Sequence, residues 1–270
     1  MDMKDVSRRG LVLLGCGKMG SAMLEGWLKQ GLPSEAVWVI DPNPSEWLQE
    51  TGVRINADLP ENPAIVLIAV KPQMMGEALP KIAALAGGKT LFISVAAGTT
   101  IAAFEKILGQ GPIIRAMPNT PAAVGRGITA IIGNDRAQAD HLDIAEELLA
   151  AVGQVVRLES EDQMDAVTGV SGSGPAYLFH MIECLARAGT GQGLPPEMAM
   201  QLAKATVAGA GALAEAAEED PAQLRKNVTS PNGTTQAGLE VLMDEKSGLP
   251  PLMAATVAAA ADRSRALRDE

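Results

Sequence analysis

The stretch "GLVLLGCGKMG" at residues 10–20 runs an aliphatic segment directly into three glycines, Gly15, Gly17 and Gly20. In a strand-to-helix turn each has a separate use. The first permits the tight turn, the second lets a ligand's phosphates approach the backbone, and the third lets the helix pack on the strand. The helix that follows would aim free N–H groups and its positive dipole end at an anion. Glycine turns also arise for purely structural reasons, so the context has to decide. A second β-like run at 36–41 ends in Asp41, about 20 residues beyond the glycines, where a ribose-binding acid belongs. The stretch therefore reads as a dinucleotide loop, with Cys16, Lys18 and Met19 completing it. Asp41 would accept from a ribose 2′-OH and repel a 2′-phosphate, which leans toward NAD. In "DPNPS", Asn43 and Ser45 are able to hydrogen-bond a phosphate, but no arginine is near.

The same alternation continues through the first 160 residues. Strand-like runs at 11–15, 36–41, 64–70, 90–95, 112–116, 127–132 and 153–158 are interleaved with helical patterns at 19–29, 73–85, 100–108 and 136–151. Such repetition predicts a Rossmann-type, doubly wound, mostly parallel sheet, and the aliphatic strands "AIVLIAV" and "TLFISV" suit burial on both faces. From Glu161 the β signal ends. Helical patterns at 175–188, 195–219, 232–244 and 250–268 predict an all-helical second domain over 161–270, with "KATVAGAGALAEAA" offering small residues for close helix approach. A helical half of this kind often packs on a copy of itself, so a homodimer is expected; a monomeric helical cap is the alternative.

Composition narrows the partners. A formal net charge of -10 in 270 residues argues against a nucleic-acid binder and points to a small molecule. The two cysteines, Cys16 and Cys184, have neither disulfide-framework nor metal spacing, so no metal is expected. No uninterrupted apolar run reaches spanning length and no signal peptide is legible, which predicts a cytoplasmic protein without membrane contact.

Beyond the glycine loop lie "AVKPQ", "SVAAG", "RAMPNTP", "VSGSGPAY" and "VTSPNGTTQAG" in that order. Taken together, over nearly the whole chain, they resemble the pyrroline-5-carboxylate reductases. The resemblance implies reduction of the C=N bond of 1-pyrroline-5-carboxylate to L-proline, the last step of proline synthesis, by NADP- or NAD-derived hydride. It also implies a helical dimerisation domain and, in many members, rings of dimers. Residue by residue it assigns to the cofactor Gly15–Gly20, Asn56, Ala69, Val70, Lys71 and Pro72, the loop with Val95, Ala96 and Ala97, and Asn227. To the substrate it assigns Ser230, Gly233, Thr234 and Thr235, with Glu161 near the ring nitrogen. The family's usual Ser-Pro-Gly-Gly-Thr-Thr reads Ser-Pro-Asn-Gly-Thr-Thr here. Asn232 is a tolerable replacement, because asparagine is among the non-glycine residues that best accept a left-handed backbone.

Hydride transfer to a cyclic imine asks the protein mainly to orient its partners, since protonation of the nitrogen makes the carbon electrophilic. Thr235 is the candidate for the hydrogen bond to that nitrogen, and helix-end N–H groups suit the substrate carboxylate. An ordinary N-cap is the structural alternative for these threonines. His141 is expected on a solvent face, and His180 and Tyr177 are expected to serve packing. Among rivals, the β-hydroxyacid dehydrogenases place a lysine on the first helix of the second domain, whereas "GSGPAYLFHMIECLARAG" has none. A reductase of a related cyclic imine and a non-catalytic NAD(P)-binding sensor remain as alternatives.

Overall fold

The computed structural model describes residues 1–268. Their strands form one eight-stranded sheet in the order β3-β2-β1-β4-β5-β6-β7-β8. The strands are β1 (Leu11–Leu14), β2 (Val37–Ile40), β3 (Arg54–Ile55), β4 (Ile65–Ile68), β5 (Leu91–Ser94), β6 (Ile113–Met117), β7 (Gly127–Gly133) and β8 (Gly153–Arg157). The first six pair in parallel, β7 runs antiparallel to β6, and β8 is parallel to β7. The order reverses direction between β1 and β4, which makes the carboxyl edge of those two strands the switch point of the sheet.

Strand alternation divides the core in two. Leu11, Leu13, Ile65, Leu67, Leu91 and Ile93 face one layer, and Val12, Leu14, Val66, Ile68 and Phe92 face the other. Met23, Leu24 and Trp27 of the helix Lys18–Lys29 cover the first face together with Ile144 and Leu148 of the helix Ala139–Leu149. Phe104 and Leu108 of the helix Ile101–Leu108, with Leu79 and Ile82, cover the second. The two helices on the first face are tied by Trp27, whose indole N–H donates to the Leu148 carbonyl at 2.8 Å inside the core.

Several elements differ from expectation. The pattern at 73–85 is a chain of short turns, Pro72–Met74, Met75–Ala78, Leu79–Lys81 and Ala83–Leu85. Pro80 has no N–H to continue a helical ladder, and apolar periodicity alone does not register that loss. β3 is two residues long and carries no periodic signal. The helices Met3–Arg9 and Pro221–Asn227 went unforeseen, although Asp2 and Asp220 cap them by accepting the N–H of Asp5 and Gln223. His141 does not simply face solvent, because it shares a capping box with Gln138 at the start of Ala139–Leu149.

The described residues separate into two compact units, one formed by residues 1–172 with 260–268 and the other by Ser173–Ala259. The sequence places the change at 160–161. The contacts place it about a dozen residues later, because Met164 is buried and Asp165 accepts the Ser264 hydroxyl at 2.7 Å, so this turn belongs with the first unit. A π-helical turn, Thr168–Gly172, closes that unit. The second unit holds the helices Gly174–Gly191, Pro196–Ala216, Pro221–Asn227 and Thr234–Leu242 and the first half of Leu249–Arg268. Its buried apolar cluster is small, centred on Ala186, Ala199 and Ala203. Phe179, Leu202, Leu213 and Leu252 are each at least half exposed. His180, expected within packing, is also exposed, with Nδ1 3.0 Å from Glu183 Oε2.

Trp27→Phe keeps most of the ring but orphans the Leu148 carbonyl. Urea unfolding should show a loss of about 1–3 kcal/mol, the cost of a buried acceptor left without its donor.

Candidate functional site

Four loops leave the sheet side by side at its carboxyl edge, and main-chain hydrogen bonds set their heights. Gly15 N–H donates to Ile40 O at 2.9 Å, Ala69 N–H to Leu14 O at 2.8 Å and Val95 N–H to Ile68 O at 3.0 Å. Each bond continues the parallel ladder one residue past the strand end. The sheet itself therefore assembles the glycine loop, Asp41, Ala69–Val70–Lys71–Pro72 and Val95–Ala96–Ala97 along one edge.

The three glycines of the loop differ in their steric surroundings. Gly15 takes φ +90°, and a Cβ there would lie 2.8 Å from Val70 Cγ1. A Cβ on Gly20 would lie 2.4 Å from the Gly15 carbonyl oxygen, closer than any side chain is able to sit. Gly17 has an ordinary φ of -71°, serves as N-cap of Lys18–Lys29, and faces open space within 4 Å of where a Cβ would be. The backbone thus leaves room at Gly17 alone, at a helix N-terminus whose first N–H groups lack partners inside the helix. Lys18, at the first helical position, and Lys71, at the N-cap of Pro72–Met74, are both exposed.

Asp41 ties this loop to the next. Its Oδ2 accepts Cys16 N–H at 2.7 Å and its Oδ1 accepts Asn43 N–H at 2.8 Å. A carboxylate offers about four lone-pair sites, so capacity for ribose hydroxyls remains. Asn56, in the left-handed region at φ 49°, locks Asp41 from the other side. It accepts the Asp41 N–H at 3.0 Å and donates to the Asp41 carbonyl at 2.7 Å. Burial, followed by the neighbouring Asp41 charge, pushes the Cys16 thiol up to about 11, so this cysteine stays protonated and serves as loop packing.

Glu161 lies in the first unit and is already engaged. Its Oε1 accepts from Arg115 Nη1 at 2.7 Å and from Ile101 N–H at 3.0 Å. Arg115, which carries no local signal of function inside its strand other than its charge, is 2% exposed, and Glu161 is 27% exposed. A buried arginine within an otherwise aliphatic strand was the available signal, because such a charge requires a partner.

The second unit presents the loop that carries Ser230, Gly233, Thr234 and Thr235. Ser230 O accepts Gly233 N–H at 3.0 Å, with Pro231 second and Asn232 third in the turn. Asn232 has φ 58°. This is the pattern of a type II turn, whose third position requires a left-handed residue, so asparagine preserves the shape usually supplied by glycine. The N-cap of Thr234–Leu242 is Gly233, which has no side chain to offer. The threonines are therefore not the cap. Both are exposed in the first turn, beside backbone donors left open, and the Gln236 side chain reaches back to accept Asn232 N–H at 2.7 Å. Asn227 ends the preceding helix, where it accepts from the Gln223 side chain at 2.7 Å. Among the described residues, no group of three or more His, Cys, Asp or Glu side chains is gathered to hold a metal, and no helix is long and apolar enough to cross a membrane.

Comparison with known proteins completes the picture. Residues 161–267 match the family model for pyrroline-5-carboxylate reductase dimerisation, and residues 10–98 match one described as NADP oxidoreductase, coenzyme F420-dependent. A pyrroline-5-carboxylate reductase from a Synechocystis species is 44% identical, aligned over 95% of this chain and 97% of its own. The chain belongs to the pyrroline-5-carboxylate reductase family. Among solved members of that family, the Coxiella burnetii enzyme superposes with a TM-score of 0.89 at 34% identity, covering 96% of this chain and 98% of that one. The Plasmodium falciparum enzyme, solved with NADP bound, superposes with a TM-score of 0.81 at 28% identity, covering 97% and 99%. The family match to the helical region as a dimerisation domain accords with its scant core, and the chain forms homo-oligomers.

The glycines give a test that separates fold from ligand. Gly20→Ala should cost about 1–3 kcal/mol in urea unfolding, because its methyl meets backbone. Gly17→Ala meets no backbone and weakens only an N-cap, so it should unfold within about 1 kcal/mol of the parent. It should nonetheless weaken NAD(P)H binding, followed by nicotinamide fluorescence, by about tenfold or more.

Proposed function

We propose that the chain is a pyrroline-5-carboxylate reductase in activity as well as family, reducing the C=N bond of 1-pyrroline-5-carboxylate to L-proline as the last step of proline synthesis. The observation that carries the proposal is the presence, in one chain aligned over 97% of such an enzyme, of both a cleared dinucleotide loop and a donor-rich turn. The residues at the sheet edge fit the cofactor. Gly17 leaves space for a pyrophosphate, the first turn of Lys18–Lys29 offers N–H donors, and Asp41 retains acceptor capacity for a ribose. When bound there, NAD(P)H supplies the hydride.

The protein's own contribution is orientation. Ser230, Gly233 and the open N–H groups of Thr234 and Thr235 suit a substrate carboxylate, and the Thr235 hydroxyl suits the ring nitrogen. A hydroxyl is too weak an acid to be the net proton source, so Thr235 steers the iminium or relays a proton from water. Asp41 favours NADH, since a 2′-phosphate would meet its carboxylate. Asn43, Asn56, Lys71 and Asn227 complete the proposed cofactor contacts. The exposed apolar positions of the helical unit support a homodimer built through it, on which rings of dimers would be assembled. Two thiols without a disulfide support a cytoplasmic location.

The first test is oxidation of NADH and of NADPH at 340 nm, in separate cuvettes, with pyrroline-5-carboxylate as sole acceptor. Turnover is expected with both and faster with NADH, while cofactor binding without turnover would favour the sensor reading. Thr235→Ala should lower kcat by about 10- to 100-fold with NAD(P)H affinity nearly unchanged, and weaker cofactor binding with intact turnover would remove Thr235 from the substrate end. Asp41→Ser should move the kcat/KM ratio about tenfold toward NADPH, and an unmoved ratio would take Asp41 out of the ribose site.

A further inference from the structure

The loop "VAAGTT" at 95–100 leaves β5 at the sheet edge, and each of its ends is held by a different device. At the start, Val95 N–H bonds to Ile68 O, and Ala96 N–H donates to the buried Ser94 hydroxyl at 3.3 Å. At the end, the helix Ile101–Leu108 begins. That helix already has a local cap, because the Thr100 hydroxyl accepts Ala103 N–H at 3.2 Å. Glu161, sixty residues away in sequence, nevertheless reaches in to take Ile101 N–H on the same oxygen that binds Arg115.

A cap by itself needs no buried guanidinium. Arg115 sits on β6 beside Ser94 of β5 in the ladder, so its position is fixed by the sheet. Its pairing with Glu161 fixes the carboxylate in turn, and the carboxylate fixes Ile101. Sheet, carboxylate and helix start thus converge on a single oxygen, Glu161 Oε1. Between the two anchors the loop has one pliable residue, Gly98 at φ +76°.

We propose that Arg115 and Glu161 are a positioning pair for the reduction. They set the height of the 95–100 loop against the carboxyl edge of the sheet, and through it the seat of the nicotinamide. The proposal rests on the dinucleotide reading above, and it gives Glu161 a task at the cofactor loop in place of contact with the substrate nitrogen. Glutamine at 161 keeps an oxygen that is able to accept from both Arg115 and Ile101, whereas alanine keeps none.

The test compares full-length Glu161→Gln, Glu161→Ala, Arg115→Lys and Arg115→Met with the parent, at a temperature where thermal melts show each to be folded. Three quantities are read: the Kd of NADH by nicotinamide fluorescence, the KM and kcat, and the isotope effect with cofactor deuterated at the transferred hydrogen. Glu161→Ala should raise Kd about tenfold, lower kcat about tenfold or more and raise the isotope effect, as expected of a misplaced hydride donor. Glu161→Gln should restore all three to within about threefold of the parent. If Glu161→Ala binds NADH and turns over within about twofold of the parent, the pair is merely structural and the proposal fails, whatever the melting temperature. Should Arg115→Met not fold, Arg115→Lys takes its place, with the Kd change expected between those of the two Glu161 variants. A parent that binds NADH but does not reduce pyrroline-5-carboxylate would sink the reductase reading, and the Kd comparison would still decide the positioning role.

Discussion

Three main-chain hydrogen bonds, donated one residue past the ends of β1, β4 and β5 to the last carbonyls of β2, β1 and β4, hold the functional edge of this molecule together. They align the glycine loop, the Lys71 segment and the 95–100 loop before any side chain contributes. A parallel ladder is rigid because both its faces are packed, and here both are: aliphatic residues alternate between two layers along β1, β4 and β5. The edge therefore inherits the rigidity of the core. Side chains then refine it. Asp41 joins the glycine loop to the loop after β2, Asn56 joins β3 to Asp41, and Glu161 joins the helix after the 95–100 loop to β6.

The helical unit follows a different logic. Its own buried cluster is little more than three alanines, far below what an independent domain of its size buries, and large apolar residues remain exposed along its helices. A surface of that kind is stable when a copy covers it, which accords with the match of 161–267 to a dimerisation family. In a homo-oligomer built through this unit, association would be part of folding for this half of the chain, and its stability would depend on protein concentration.

Much of this was legible in the sequence wherever a single local requirement dictated a residue. The glycine loop could be read because each glycine answers a separate steric demand, and Asn232 because asparagine tolerates φ 58°. Strand positions were legible from aliphatic runs. What escaped depended on groups distant in sequence. Nothing near Glu161 announces Arg115, and nothing near Met164 announces that its turn packs with the first unit through Ser264. The broken segment at 72–85 escaped for the opposite reason, since its apolar pattern is helical while Pro80 interrupts the backbone that would realise it.

The division of labour among the three loop glycines also shapes how such a chain would diverge over generations. Gly15 and Gly20 are bound to the fold by steric contact, so selection for a folded protein alone retains them. A Cβ on Gly17 would meet nothing of its own chain, so steric contact gives no reason to keep it bare and a ligand does. A descendant that had abandoned its nucleotide would keep the outer two glycines and drift at the middle one, leaving a record of the lost ligand in a single codon.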